Sequence, residues 1–305
     1  MQVQTLSISA SDGLPLSASL FDAGPDCRGL VVINAAAGVK RRYYTDFATF
    51  LCQAGFSVLS WDARGMGDSA VLPPKHDPSR MADWGRHDLE GVLSHIAAHI
   101  EADLRRVVVI GHSAGGNLAG LAPSLPKVGG LCLIASGTCY WRLYRKREWP
   151  RMLLAWHVLM PLFLRLFGYL PAKLGVGHDL PRGIALDWRN WSLQPDYLFS
   201  DPSLQVDAYG AFNKPLLALA VADDTGFAPP PAVDDLLARF SAARIERRLL
   251  HAEQFGLRSI GHFNFFRRSH ANLWPQVSEW LAITLDSRAS PMEAVAKPWP
   301  PHSRQ

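Results

Sequence analysis

Residues 106–122 read RVVVIGHSAGGNLAGLA, and this stretch decides the fold. It begins at 106–110 with a short, apolar, β-branched run, which is typical of a strand buried on both faces of a sheet. Residues 114–122 predict a short helix. Between the two stands GHSAG at 111–115, where Ser113 would occupy a sharp turn from strand to helix. Such a turn is strained and brings backbone segments close together, so we expect only small side chains on both sides of the serine.

Strands and helices alternate on both sides of this turn. A short apolar run predicts a further buried strand at 29–33, and strands are also predicted at 56–61, 130–135, 215–221 and 245–250. Helical periodicity and helix-ending signals predict helices at 43–54, 83–100, 230–240 and 271–285. Two strands around the turn Ser11-Asp12-Gly13 add a hairpin at the start. Because this alternation implies a mostly parallel sheet covered by helices on both faces, the predicted fold class is α/β.

The alternation stops at residue 136 and resumes near residue 210, so we expect one core with a helical insertion. The predicted division is 1–135 and 210–286 for the two parts of the core, 136–209 for a helical lid insertion, and 287–305 for a flexible C-terminal tail. Within the insertion, residues 152–170 are nearly apolar enough to span a membrane. Their His157, Pro161 and Arg165 favour one or two apolar helices, broken at Pro161, that pack on protein or on an apolar substrate.

Composition and charge argue against a largely disordered chain and against a nucleic-acid-binding protein. A hydrophobic fraction of 48% and a charged fraction of 19% are typical of a globular chain with a core. The net charge of +4 is small, and the basic runs at 40–42 and 145–147 accompany no nucleic-acid motif. We interpret these runs as solvated or substrate-facing charges, with peripheral contact to an anionic membrane as the alternative. No nucleic-acid partner and no transmembrane segment are expected, and the sequence carries no signal for the oligomeric state.

The cysteines and short motifs bear on location and cofactors. The four cysteines lie far apart without a C-x-x-C pair, and the first residues lack the pattern of a secretory leader. Both observations favour reduced thiols and a cytoplasmic location. No H-E-x-x-H, P-loop or early G-x-G-x-x-G motif is present, so we expect neither a metal nor another cofactor.

A serine hydroxyl needs a base, and the base needs an acid that orients it. For a strand-turn-helix serine the expected chain order is serine, acid, histidine. His262 follows the strand at 245–250 and is the predicted base, whereas the neighbouring His112 should point away from Ser113. Asp224, directly after the strand at 215–221, is the predicted acid, with Asp223 as the alternative.

Two backbone N–H groups are needed to stabilise an oxyanion, one of them from the residue after the nucleophile. Ala114 supplies that group. The second should come from the small-residue loop at 34–38, where Ala36 is the predicted donor and Ala35 the alternative. The competing interpretation is an ordinary loop of small residues without a catalytic role.

These segments together resemble the α/β-hydrolase superfamily, and more narrowly its serine aminopeptidase-like and lysophospholipase-like members. The resemblance covers 30–135 and 215–285 and includes DARGMGDS at 62–69, a D-x-R-G-x-G-x-S segment that shapes the site wall in such proteins. Here Asp62 and Arg64 are expected to hold that loop rather than to do chemistry. Relatives commonly carry His-Gly at the oxyanion loop, where this chain has Asn34-Ala35.

The expected activity is acyl transfer to water by a Ser113–His262–Asp224 triad. The substrate would be a small-molecule carboxylic ester with a hydrophobic acyl or alcohol part, because the insertion is rich in Leu, Phe, Met and Trp. Those residues could equally pack the insertion onto the core. A peptidase, a thioesterase or an acyltransferase would use the same triad, and a non-catalytic binding protein on this fold is a further alternative.

Overall fold

The computed structural model of the chain describes residues 2–101, 103–174 and 177–286, and the predicted tail at 287–305 lies outside them. The strands are β1 (Gln2–Ser9), β2 (Pro15–Asp22), β3 (Leu30–Asn34), β4 (Ser57–Trp61), β5 (Val107–His112), β6 (Gly130–Ile134), β7 (Tyr169–Leu170), β8 (Leu180–Pro181), β9 (Pro215–Val221) and β10 (Arg244–Leu250). The α-helices are α1 (Thr45–Gln53), α2 (Glu90–His99), α3 (Ala114–Asn117), α4 (Trp149–Leu154), α5 (Met160–Phe167), α6 (Arg182–Ser192), α7 (Asp207–Ala211), α8 (Pro230–Leu237) and α9 (Pro275–Asp286).

Eight of these strands form the central sheet, in the order β1-β2-β4-β3-β5-β6-β9-β10. The first hairpin is antiparallel, as is the contact of β2 with β4, and every other pairing in this sheet is parallel. The predicted mostly parallel sheet with an antiparallel hairpin at its start is therefore confirmed.

Helices cover both faces of the sheet because successive strand residues point to opposite sides. Along β5, Val107 and Val109 join the core that contains α2 and α8, whereas Val108 and Ile110 join the core that contains α1 and α9. All four of these side chains are fully buried. The continuous apolar run that predicted this strand thus reflects two cores that meet at one sheet.

Two predicted helices are less regular than expected. The helix predicted at 83–100 begins with a π-helical turn, Trp84–Leu89, before α2. The helix predicted at 114–122 consists of the short α3 followed by a separate 3₁₀ turn, Ala119–Leu121.

The helical segment between β6 and β9 carries the longest apolar helix of the described chain. This helix runs without a break from Lys146 to Phe167, its most apolar 18 residues have a mean hydropathy of 1.2, and by length and composition it could cross a membrane. The expected break at Pro161 is therefore wrong. A π-helical turn, Ala155–Leu159, lies just before the proline, and its wider hydrogen-bond spacing accommodates a residue that lacks an N–H.

The carboxyl ends of the parallel strands meet at one edge of the sheet, where ligands bind in open α/β folds. Ser113 directly follows β5, Asp224 follows β9, and His262 lies in the loop after β10. The topology therefore brings these three residues to the same edge from separate parts of the chain.

The turn after β5 is packed against the loop after β3 with no room to spare. A Cβ atom on Gly115 would lie 2.3 Å from the backbone oxygen of Asn34, and one on Gly111 would lie 2.3 Å from the Cα of Gly116. Contacts this short do not occur, so both positions exclude even alanine without a backbone shift. The expectation that only small residues fit beside Ser113 has this close packing as its physical basis.

We predict that Gly115→Ala destabilises the protein by about 1–3 kcal/mol, the usual range for overpacking against a backbone that has to move. Urea unfolding compared with the wild type measures the effect. Gly210→Ala is the matched control, because its new Cβ would meet nothing closer than Ser241 Oγ at 3.7 Å. Equal stability of the two variants would contradict the prediction.

Candidate active site

The backbone of Ser113 adopts a conformation that residues other than glycine rarely take. Its φ is +52° and its ψ is −118°, and α3 begins at the next residue. The Ser113 N–H donates to the carbonyl of Ile134 at 3.1 Å, which ties the turn to the neighbouring strand β6. Strain of this kind persists only where the surrounding structure enforces it, and it is often found at active sites.

Ser113, His262 and Asp224 form a continuous hydrogen-bonded chain. His262 Nε2 lies 2.8 Å from Ser113 Oγ, and His262 Nδ1 lies 2.6 Å from Asp224 Oδ2. An ionised carboxylate only accepts hydrogen bonds, so Nδ1 carries the proton and Nε2 is left to accept from the serine hydroxyl. The ring of Phe227 stacks on the imidazole, with centroids 4.6 Å apart, and covers one of its faces.

The two adjacent aspartates point in different directions. The Asp224 carboxylate also accepts the N–H groups of Phe227 and Ala228, at 3.1 and 3.2 Å. The Asp223 carboxylate accepts the N–H groups of Ile260 and Gly261, both at 2.9 Å. Asp224 therefore contacts the imidazole directly, while Asp223 holds the loop that carries it.

The loop after β3 differs from expectation at Ala36. The N–H of this residue donates to the Tyr44 hydroxyl at 2.9 Å, so the predicted second oxyanion donor is already engaged by a buried side chain. Ala37, one residue further along, borders the cavity beside Ser113 and Ala114 instead. Tyr44 lies several residues beyond the loop, and nothing in the local pattern of small residues indicated that its hydroxyl reaches back.

Tyr44 belongs to a buried chain of hydrogen bonds behind the site. Its hydroxyl lies 2.9 Å from His112 Nδ1, and His112 Nε2 lies 2.9 Å from the carbonyl oxygen of His262. Burial, with a smaller contribution from nearby His262, lowers the pKa of His112 to about 3, so its ring is neutral near pH 7. Because a carbonyl can only accept, Nε2 carries the proton and Nδ1 accepts from Tyr44.

This chain links the oxyanion loop, the turn at Ser113 and the loop of His262. As the sequence predicted, His112 points away from Ser113. Its position nevertheless allows it to support the backbone of His262, a role that no local motif indicated. Burial also raises the pKa of Tyr44, which keeps its hydroxyl protonated and able to donate.

Two adjoining cavities open beside Ser113. The smaller, of about 30 Å³, lies directly at Ser113 and His262. The larger, of about 320 Å³, is lined mainly by the long helix of the helical segment, through Met152, Trp156, Met160 and Phe163. Cys139, Trp188 and Phe227 border both cavities and form the wall between them. The Leu, Phe, Met and Trp residues of 136–209 were expected either to contact an apolar part of the substrate or to pack the insertion onto the core, and several of them line this cavity.

Two residues that border the smaller cavity carry buried polar atoms. Asn117 Oδ1 has no hydrogen-bond partner within the described ranges, and the Tyr197 hydroxyl lies next to the Cys139 thiol. Tyr197 also has a positive φ of +50°, which is unusual for a bulky residue.

The DARGMGDS segment forms an ion-pair network away from these cavities. The Arg64 guanidinium contacts the buried Asp88 at 2.7 Å and binds Asp12 through two hydrogen bonds of 2.8 and 2.7 Å. The buried Asp62 carboxylate accepts the N–H of Arg41 at 2.7 Å and contacts its guanidinium. These contacts fit the expected role of Asp62 and Arg64 in holding the loop. Within residues 2–101, 103–174 and 177–286, no group of three His, Cys, Asp or Glu residues could hold a metal ion.

We predict that Tyr44→Phe lowers the free energy of unfolding by about 1–3 kcal/mol, because it leaves the buried Ala36 N–H and His112 Nδ1 without partners. Chemical denaturation measures this loss. Tyr169→Phe is the control, since its half-buried hydroxyl has no hydrogen-bond partner among the described residues. A loss no larger than in the control would contradict the buried chain.

The low pKa of His112 predicts a pH-dependent stability. The unfolded chain binds a proton at this ring below about pH 6.5 and the native protein does not, so the stabilisation is complete above that pH and is lost as the pH falls towards 3. Between pH 7 and pH 5 the free energy of unfolding of the wild type should fall by about 2 kcal/mol more than that of His112→Gln. Urea unfolding of both proteins at each pH tests this, and a stability difference that stays constant with pH would refute it.

Solved structures of several hydrolases share the fold at low sequence identity. A soluble variant of monoglyceride lipase from Saccharomyces cerevisiae, in complex with a substrate analogue, is 14% identical with a TM-score of 0.66, and the match covers 93% of this chain and 94% of that one. The esterase Pf2001 from Pyrococcus furiosus is 16% identical with a TM-score of 0.59, over 93% of both chains.

Curated relatives match a part of the chain. An sn-1-specific diacylglycerol lipase, ABHD11, of Mus musculus is 30% identical over 106 residues, which are 35% of this chain and 31% of that protein. The hydrolyase poxO of Penicillium oxalicum is 28% identical over 156 residues, or 48% of this chain and 33% of that protein. The match thus spans about a third of the length of each relative. The model of the alpha/beta hydrolase family matches residues 30–282, most of the length, and the chain therefore belongs to that family.

Proposed function

We propose that the protein is a serine hydrolase that cleaves carboxylic esters with an apolar acyl or alcohol part. The observation that carries the proposal is the chain from Ser113 Oγ to His262 to Asp224, with distances of 2.8 and 2.6 Å, at a strained turn beside a cavity. This arrangement is the one that activates a serine for nucleophilic attack.

In the first half-reaction Ser113 Oγ attacks the ester carbonyl carbon and its proton passes to His262 Nε2. Asp224 stabilises the imidazolium that forms. When the tetrahedral intermediate collapses, the bond to the alcohol oxygen breaks and His262 returns the proton to that oxygen. In the second half-reaction water attacks the acyl-serine, again losing its proton to His262, and the carboxylic acid leaves as Ser113 regains its proton.

The oxyanion of each tetrahedral intermediate lies against backbone N–H groups in this proposal. Ala114 provides one, at the start of α3, where the aligned peptide dipoles also favour negative charge. Ala37 provides the second in place of Ala36, because Ala37 borders the cavity and the Ala36 N–H is bound to Tyr44.

The lining of the cavities favours an ester over a peptide with a free amino terminus. An aminopeptidase needs a carboxylate to bind the substrate ammonium, and among the described residues no Asp or Glu lines either cavity. The larger cavity is bordered chiefly by apolar and aromatic side chains, and its 320 Å³ falls in the usual range for small-molecule sites. The helical segment at 136–209 acts as the lid that forms this cavity. A thioesterase or an acyltransferase would use the same residues.

The proposal predicts that the wild type hydrolyses p-nitrophenyl esters in a series from acetate to palmitate. Ser113→Ala and Asp224→Asn should each lower kcat/KM by about 10⁴-fold or more, since they remove the nucleophile or the group that orients the base. Asp223→Asn is the matched control, because it alters an adjacent carboxylate that contacts only the loop backbone. It should cost less than about tenfold, corresponding to about 1.4 kcal/mol.

Labelling with a fluorophosphonate probe distinguishes an active serine hydrolase from a non-catalytic binding protein with the same fold. The wild type should be labelled at Ser113, and Ser113→Ala should not. A wild type that neither turns over any ester nor reacts with the probe would overturn the proposal. Equal losses for Asp223→Asn and Asp224→Asn, in variants that remain folded, would overturn the assignment of the acid.

A further inference from the structure

The long helix of the helical segment has two apolar sides. Its inner side buries Met152, Trp156, Met160 and Leu164, which follow one another at four-residue spacing. The outer side carries a second row at the same spacing, offset by two residues. We call this row the apolar stripe, and its members with their exposed fractions are Leu154 (50%), Val158 (50%), Leu162 (46%) and Leu166 (64%).

Exposed apolar side chains are concentrated on this one helix. Ten large apolar side chains are exposed in the described part of the chain, and six of them belong to the helix, since Leu159 and Phe167 flank the stripe. Single exposed apolar residues are common on protein surfaces, whereas a contiguous row of them marks a surface that contacts something apolar.

The surroundings of the apolar stripe are strongly basic. Residues 136–192 contain nine Lys and Arg residues and three Asp and Glu residues, although the whole chain carries a net charge of only +4. Arg165, Arg182 and Arg189 line one groove beside the helix, and among the described residues none of the three forms an ion pair. An apolar row bordered by unneutralised arginines complements a surface that is apolar inside and negatively charged outside.

The apolar stripe is also continuous with the larger cavity, which adjoins the smaller one at Ser113. Leu159 is partly exposed next to the stripe and lines the larger cavity, together with Ala155 from the preceding turn. An apolar molecule held at the outer side of the helix could therefore enter the cavity without crossing water. This continuity distinguishes the stripe from an apolar face that would pair with a second copy of the chain.

We propose that the apolar stripe lies on the surface of an anionic lipid bilayer and that the larger cavity receives its substrate from that bilayer. The helix lies in the interface rather than across it. Its inner row is packed into the protein core, and a spanning position would carry Arg165 into hydrocarbon. Binding itself requires no catalysis, so docking is independent of the proposed ester chemistry, and only the delivery of substrate rests on it.

Sedimentation of the full chain with lipid vesicles tests the docking. The wild type should bind vesicles that contain phosphatidylglycerol and should bind much more weakly to pure phosphatidylcholine or at high salt. The double variant Val158→Glu/Leu162→Glu should lose about tenfold or more in affinity, because two carboxylates replace apolar contacts with the bilayer. Arg165→Gln should lose about fivefold, the effect of one charge near the bilayer surface.

Ile283→Glu is the matched control, because Ile283 is 69% exposed on α9, outside the helical segment. It should bind vesicles as the wild type does. If the wild type does not bind anionic vesicles, or if the stripe variant binds as well as the control, the docking proposal is wrong. A dimer that dissociates in the stripe variant would assign the stripe to a second copy and would also overturn it.

Activity measurements keep the two proposals distinguishable. On a water-soluble ester such as p-nitrophenyl acetate, the stripe variant should retain the rate of the wild type, because Val158 and Leu162 border neither cavity. On the same acyl ester embedded in anionic vesicles its rate should fall in proportion to its binding. If binding follows the predictions and no protein hydrolyses any ester, docking stands and the proposed hydrolase activity fails. If the stripe variant loses both substrates equally, the supply of substrate from the bilayer is refuted.

Discussion

Three backbone segments meet at the turn between β5 and α3 with no space for a Cβ atom between them. The carbonyl oxygen of Asn34, at the end of β3, lies 2.3 Å from where a Cβ atom on Gly115 would be, and the Cα of Gly116 lies 2.3 Å from where a Cβ atom on Gly111 would be. Asn34 fastens the contact, since its side-chain amide donates to the Gly115 carbonyl at 3.2 Å and accepts from Trp61 at 3.1 Å. The strained backbone of Ser113, the start of α3 and the position of the oxyanion loop all follow from this packing.

The positions of His262 and Asp224 depend on the same constraint through longer connections. His262 and Asp224 come from loops after other strands, and the parallel sheet brings them only to the correct edge. Their final positions rest on local bonds, in which Asp223 holds the backbone before His262 and His112 donates to the His262 carbonyl. His112, the residue before Ser113, thus hydrogen-bonds to the backbone of His262. This bond holds the turn at Ser113 and the loop of His262 together.

The sheet, its helices and the three residues at its edge could be predicted because the signals are local or follow chain order. Buried strands appear as apolar runs, and the glycines around Ser113 mark the close approach. The bond of the Ala36 N–H to the Tyr44 hydroxyl could not be predicted, because the small residues of the loop do not encode an acceptor that lies eight positions further along the chain. The continuity of the long helix was missed for a similar reason: a π-helical turn accommodates Pro161, and sequence rules for proline assume ordinary helical spacing. The choice between Asp223 and Asp224 rested on side-chain direction, which the structure defines through their different partners.

The buried chain from Ala36 through Tyr44 and His112 to His262 also constrains how the family can diversify at these positions. Phenylalanine at 44 would leave an imidazole nitrogen and the Ala36 N–H without partners, and a simultaneous change at position 112 to a residue that needs no donor would remove the first of these losses. A change at 112 alone would in turn leave the His262 carbonyl without its donor. Positions 44 and 112 should therefore vary together among close homologues, although neither side chain touches the reacting atoms.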